Sequence, residues 1–195
     1  MSTFFQYAII AAFAENAFLN RAIGASNIID ANLTSGKKLV WYSAILVFMT
    51  TISSIPVYFI KTALDKVKSP YIFIPIVSVG SMSVIYILTL LAVKKYLPLA
   101  AKAVITEMPL ATFNCAVMGG IIIAQSNFPS FVKVLGYAFG VGIGYIMAAL
   151  LLKEGLRRIA LADIPKSFRG VPISLIYVGI LCLVVYGITG KRFIF

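Results

Sequence analysis

The chain has 195 residues, 61% of them hydrophobic and 12% charged, with a mean hydropathy of +1.01. That apolar fraction excludes a soluble globular domain, and two cysteines without a histidine exclude a disulfide framework and a Cys/His zinc motif, so any metal centre needs ligands from a partner chain. The net charge of +11 fits lysines and arginines at the ends of membrane spans, beside anionic headgroups, better than a nucleic-acid surface.

The first residues carry no basic n-region and no small-residue cleavage site, which predicts that the apolar start is retained. A first span is predicted over Phe4 to Gly24. It contains Glu15, Asn16, Asn20 and Arg21. A central charge costs about 2.5–3.5 kcal/mol even on insertion scales, so this span should face protein. Ser26 to Gly36 is polar and turn-rich. The second span is about Leu39 to Ile60 with Pro56 inside it, followed by a charged loop from Lys61 to Ser69. The third runs from about Tyr71 to Val93 and is closed by Lys94 and Lys95. Trp41, Tyr42, Tyr71 and Tyr96 read as interfacial anchors.

The fourth span, about Ala100 to Ala124, is unlike an ordinary membrane helix. Between Thr106 and Gly120 it holds Glu107, Pro109, Asn114, Cys115, Gly119 and Gly120. Lipid offers no partner to freed backbone groups, so an irregular backbone at membrane depth must be buried in protein or line a cavity. Glu15-Asn16 to Ser26 is the matching interruption in the first half. Interrupted hydrophobic segments in corresponding positions of two halves mark transporter-type sites. The fifth span, about Phe131 to Leu152, carries Gly136, Gly140 and Gly144 on one face, a surface for close helix approach. Gly140 to Gly144 lacks the strand-turn-helix context of a dinucleotide fingerprint. Lys153 to Gly170 is predicted as the largest and most basic loop, and Pro172 to Gly190 as the sixth span, with Cys182 near its middle.

These elements predict an all-α integral membrane protein of six transmembrane helices. They form two three-helix repeats, about 1–97 and 98–195, each beginning with a helix broken near mid-membrane. With the N-terminus outside, the inner loops hold ten basic residues and the outer side six, which favours that orientation. An odd number of spans per half makes the two repeats inverted relative to each other.

The segment Pro109-Leu110-Ala111-Thr112-Phe113-Asn114-Cys115-Ala116-Val117-Met118-Gly119 resembles a Pro-Leu-x-x-x-Asn-Cys-Ala-x-x-Gly signature. Arg157 to Gly170, with Asp163-Ile164-Pro165 and Phe168-Arg169-Gly170, resembles the loop before the last helix of the same family, and Glu15-Asn16, Leu19 and Gly24 also fit. That family is the RnfA/NqrE group, membrane subunits of the Rnf ferredoxin:NAD complex and of the sodium-pumping NADH:quinone oxidoreductase. The resemblance implies a subunit that is not catalytic alone. It would pair with an inverted homologous subunit (RnfE/NqrD-like) in a bacterial or archaeal cytoplasmic membrane. Cysteines on the broken helices would jointly hold a 2Fe–2S cluster, through which electrons cross the bilayer coupled to Na⁺ or H⁺ movement. Cys115 is then a cluster ligand; outside that setting it is an inert core thiol. The family's other cysteine falls where this chain has Ser26. Three readings follow: Ser26 or a partner group completes the cluster, the chain is a cluster-less scaffold, or Cys182 substitutes. Glu15 and Glu107 suit ion coupling, or bracing of a broken helix by accepting from freed N–H groups or pairing with Arg21. Asn16 and Asn114 suit local hydrogen-bonding plugs, and Asp163 with Arg169 suits loop architecture or docking of a cytoplasmic partner. No nucleotide or flavin motif is present, so those cofactors would belong to other subunits. A secondary transporter on the same plan is the alternative.

Overall fold

The computed structural model describes residues 2–24, 36–64, 70–96, 98–159, 161 and 163–189. Among these there is helix and no strand. Helix α1 is Ser2–Ile9, continued by a π-helical turn at Ile10–Ala14; α2 is Ala17–Arg21, α3 Gly36–Leu64 and α4 Pro70–Tyr96. Then come α5 (Pro98–Thr112), α6 (Cys115–Asn127), α7 (Phe131–Ile159), a 3₁₀ turn at Lys166–Phe168 and α8 (Val171–Thr189). Four helices are long and apolar enough to cross a membrane: α3, α4, α7 and α8. A fifth crossing results if α5 and α6, bent by 49° between Val104–Thr112 and Cys115–Asn127, are one span.

Helix α7 is the hub. It packs against α1, the π turn, α3 and α6. The glycine face reads as expected: a Cβ on Gly136, Gly140 or Gly144 would run into the backbone of Phe4, Ala8 and Ala12 respectively. The first helix thus lies along that stripe with no side chain between the two backbones. The core joins Phe18, Leu46, Met49, Met108, Val117 and Leu152, all buried. Helices α4 and α8 keep apolar faces outside it, with Ile72, Ile76, Leu183 and Ile188 exposed.

The packing has a repeating logic. Helix α3 touches α5 and α6, while α7 touches α1 and α2. Helix α4 touches α6, while α8 touches α2. Exchanging the two halves of the chain maps each of these contacts onto another.

Two expected boundaries are corrected. The basic stretch after Leu152 is not all loop: α7 continues to Ile159. Glu154 meets Arg157 at 3.8 Å and Arg158 at 3.2 Å, the i,i+3 and i,i+4 pairs that favour another two turns of helix. Lys61 is likewise helical, within α3. Its Nζ donates to the Gln125 carbonyl near the end of α6, where helix carbonyls lack partners. Residues 65–69 lie outside the described ones.

Candidate functional site: two capped helix breaks

Both interrupted segments break at an asparagine. In the first, the π turn ends as the Glu15 N–H donates to the Ile10 carbonyl at 2.7 Å. Asn16 then leaves the helical region (φ −58°, ψ 114°) and caps α2. Its Oδ1 accepts from the Phe18 and Leu19 N–H groups at 3.0 and 3.1 Å. Its Nδ2 donates to the Ala12 carbonyl at 2.8 Å and to Gly144 on α7 at 2.9 Å. One side chain therefore serves both sides of the break and ties it to the hub. Nearby, Asn20 donates to the Ala14 carbonyl at 2.8 Å.

The second break falls after Pro109, whose missing N–H already weakens the ladder. The last turn of α5 closes with Phe113 N–H on the Pro109 carbonyl at 3.0 Å. Asn114 is extended (φ −82°, ψ 134°) and caps α6 by accepting from the Ala116 N–H at 2.9 Å. Its Nδ2 donates to the Tyr42 hydroxyl at 2.7 Å.

The two breaks meet inside the protein. Gly24, at φ +87°, lies so close to the second break that a Cβ there would stand 2.6 Å from Asn114 Oδ1 and 3.0 Å from the Ala116 methyl. Tyr145 donates to the Gly24 carbonyl at 3.1 Å. The Tyr42 and Tyr145 hydroxyls are 3.4 Å apart, within hydrogen-bond distance. A hydrogen-bonded line thus runs Asn114, Tyr42, Tyr145, Gly24, joining the two halves. Tyr145→Phe leaves the Gly24 carbonyl without that donor and is expected to destabilise the protein by about 1–3 kcal/mol. The midpoint of thermal unfolding in detergent measures it; an unchanged midpoint contradicts the assignment.

Tyr42 corrects the sequence reading. It is not an interfacial anchor but fully buried, whereas Trp41 beside it is 41% exposed and Tyr96 is exposed. The sequence marks Tyr42 only as an anchor and Tyr145 not at all, since an aromatic in an apolar run gives no sign of which face it occupies.

Of the expected site residues, Asn16, Asn114 and Cys115 stand at the breaks. Cys115 is the first residue of α6 and is exposed, next to Phe113, itself half exposed. Glu15 is half-buried at the first break and Glu107 half-buried on α5. The pairing of Glu15 with Arg21 involves a side chain outside the described ones, and Ser26 lies outside the described residues altogether. Cys182, half-buried on α8, directs its Sγ at the Phe18 carbonyl, 3.8 Å away. Asp163 Oδ1 meets Arg169 Nη2 at 3.7 Å in the segment before α8. Among the described residues no three Cys, Asp or Glu side chains cluster as a metal site.

Comparison with known proteins finds a family match over nearly the whole chain. Residues 4–194 match the model of the family described as "Rnf-Nqr subunit, membrane protein". A protein of Vibrio atlanticus is 30% identical over 151 residues, covering 73% of this chain and 74% of its own. One from Alcanivorax borkumensis is 37% identical over 99 residues, 50% of this chain and 51% of its own. One from Syntrophotalea carbinolica is 40% identical over 99 residues, with the same coverage. In the latter two matches the chain spans about half the length of the relative. All three are named as subunits of an ion-translocating oxidoreductase complex. With nearly every residue inside the family match, and with several apolar helices built around two breaks, the chain belongs to the Rnf-Nqr family of membrane subunits.

Proposed function

We propose that this chain is a membrane subunit of an Rnf-type ion-translocating electron-transport complex. Its six spans form two inverted three-helix repeats with the N-terminus outside a cytoplasmic membrane. It pairs with a homologous subunit of opposite topology, and the pair carries electrons across the bilayer, coupled to Na⁺ or H⁺ movement. The names of the relatives support the complex. The exchange of contacts between the two halves supports the inverted repeats.

The observation that carries the electron-transfer reading is Cys115: a thiol on the protein surface, at the first turn of a half-helix, beside a break capped by Asn114. A thiolate is a soft ligand suited to iron–sulfur clusters. A 2Fe–2S cluster takes four ligands. Among the described residues Cys115 belongs to no group of three or more Cys, Asp or Glu side chains that could hold a metal. One exposed thiol suits a shared cluster, with Cys115 as this chain's ligand and Ser26 or partner groups completing the set. Such a cluster supplies one-electron transfer within the membrane. The chain's own part is to hold the Cys115 sulfur at the protein surface, fixed by the Asn114 cap below it. Glu15 and Glu107, both half-buried carboxylates, are the candidates for ion coupling.

Electron paramagnetic resonance of the reduced, assembled complex tests this, with iron measured in parallel. Cys115→Ala is expected to abolish the cluster signal and transmembrane electron flow while leaving assembly intact, and Cys182→Ala to do neither. Ser26→Cys is expected to strengthen the signal. A full signal and full turnover in Cys115→Ala would reduce the chain to a scaffold without a cluster.

A further inference from the structure

Where α7 ends and α8 begins, the protein surface holds an open cavity of about 420 Å³ that the electron-transfer reading does not use. Its walls are Leu156 and Ile159 from α7, Ile164 from the connecting segment and Ile173 from α8, with Arg169 and Ser174 as its polar lining. That volume lies within the roughly 300–1,000 Å³ of small-molecule sites.

Its depth in the membrane follows from helix length. Helix α7 has 29 residues, about 43 Å at 1.5 Å per residue. The hydrocarbon core is about 30 Å thick. The uncharged part, Phe131 to Leu152 apart from Lys133 near its start, covers that thickness. The charged last turns, from Lys153 to Arg158, then stand in the headgroup layer. The cavity opens at that level, between two membrane-crossing helices.

We propose that this cavity binds an anionic phospholipid, with the phosphate against Arg169 and one acyl chain along the apolar wall. The charge is complementary: Lys153, Arg157, Arg158, Lys166 and Arg169 face only Glu154 and Asp163 in this segment. Basic pockets between transmembrane helices at the headgroup level suit anionic lipid heads. Arg169 is held for the task. Its Nε donates to the Ile164 carbonyl at 3.0 Å, which sets the guanidinium beside the cavity and leaves its remaining N–H donors for another acceptor. Its pairing with Asp163 is long, 3.7 Å, and both side chains are exposed, so it competes weakly with a phosphate. The apolar walls explain the second half of the ligand. Water in such a cavity gains no partner from Leu156, Ile159, Ile164 or Ile173, while an acyl chain enters directly from the adjoining bilayer. Exposed Val171 and Leu175 on α8 extend an apolar surface towards lipid.

The test uses the purified complex with all its subunits, delipidated and then offered vesicles of phosphatidylglycerol or phosphatidylcholine, with retained lipid counted by native mass spectrometry. Both heads carry a phosphate, but the choline ammonium cancels its charge and would meet the same basic residues, so phosphatidylglycerol is expected to be retained at least about tenfold over phosphatidylcholine. Arg169→Gln should bring the ratio close to one. Ile173→Trp should do the same by filling the cavity with all charges in place, which keeps the test decisive if Arg169→Gln fails to assemble. Arg157→Gln, which alters the surface charge but not the cavity lining, should leave retention unchanged. Equal losses in Arg157→Gln and Arg169→Gln would reduce the effect to diffuse surface charge and overturn the site. Displacement of the lipid by millimolar inorganic phosphate would make it a site for a soluble anion. Efficient cross-linking of an Ile173→Cys variant to another subunit would assign the cavity to a protein contact instead.

Discussion

Gly140→Leu is expected to leave no folded protein, while Gly179→Ala leaves folding unchanged. A Cβ on Gly140 would strike the carbonyl of Ala8 and come within 2.8 Å of the Ala11 methyl; one on Gly179 meets nothing within 4 Å. The obstacle at Gly140 is backbone, which cannot swing aside as a side-chain tip can. Neither helix can retreat cheaply, because Gly136 and Gly144 touch the same partner one turn to either side. Overpacking costs about 1–3 kcal/mol where neighbours can adjust. Leucine against two backbones should exceed that range and approach the whole stability of a domain, about 5–15 kcal/mol. Fluorescence-detected size exclusion of the extracted protein reads the outcome. A monodisperse Gly140→Leu variant would mean that α1 does not lie on the glycine stripe.

Asn16→Leu is expected to be the more damaging of the two cap removals. Asn16 makes four hydrogen bonds at 1% exposure, with two N–H groups and two carbonyls as partners. Each buried group left unsatisfied costs about 1–3 kcal/mol, so the loss should reach about 4 kcal/mol or more. Asn114→Leu orphans the Ala116 N–H and removes a donor from Tyr42, which still has Tyr145 as a partner. Its cost should be about 2–3 kcal/mol. Asn16→Asp, which keeps the two accepting positions, should fall between wild type and Asn16→Leu only if capping outweighs the burial of a charge. Thermal midpoints of the three variants in one detergent decide the order, and a larger loss in Asn114→Leu would contradict it.

The breaks were legible because asparagine, proline and glycine inside apolar runs have few uses other than ending a helix and supplying its cap. The glycine face was legible for a similar reason: a four-residue spacing lands on one side of a helix whatever surrounds it. The end of α7 was not legible. Lys153, Glu154, Arg157 and Arg158 look like loop by hydropathy, yet their spacing favours helix, which runs on to Ile159. Tyr42 failed for a different reason. Trp41 and Tyr42 lie next to each other at a helix end, and only helix rotation decides that one faces outward and the other inward. Sequence offers that rotation only through amphipathic contrast, and a span apolar on every side has little. The same limit hid Tyr145, one residue from the glycine face.

The line from Asn114 through Tyr42 and Tyr145 to Gly24 has a further consequence for proton traffic. A chain of hydroxyls conducts protons by accepting one at one end, releasing one at the other, and then turning every O–H back. Here the first member is an amide NH₂, which offers protons but takes none, and the last is a peptide carbonyl, which takes a hydrogen bond but has no proton to release. Neither end of the line takes up or releases a proton. The line is built as a strut between the halves, anchored at both ends by groups that do not titrate.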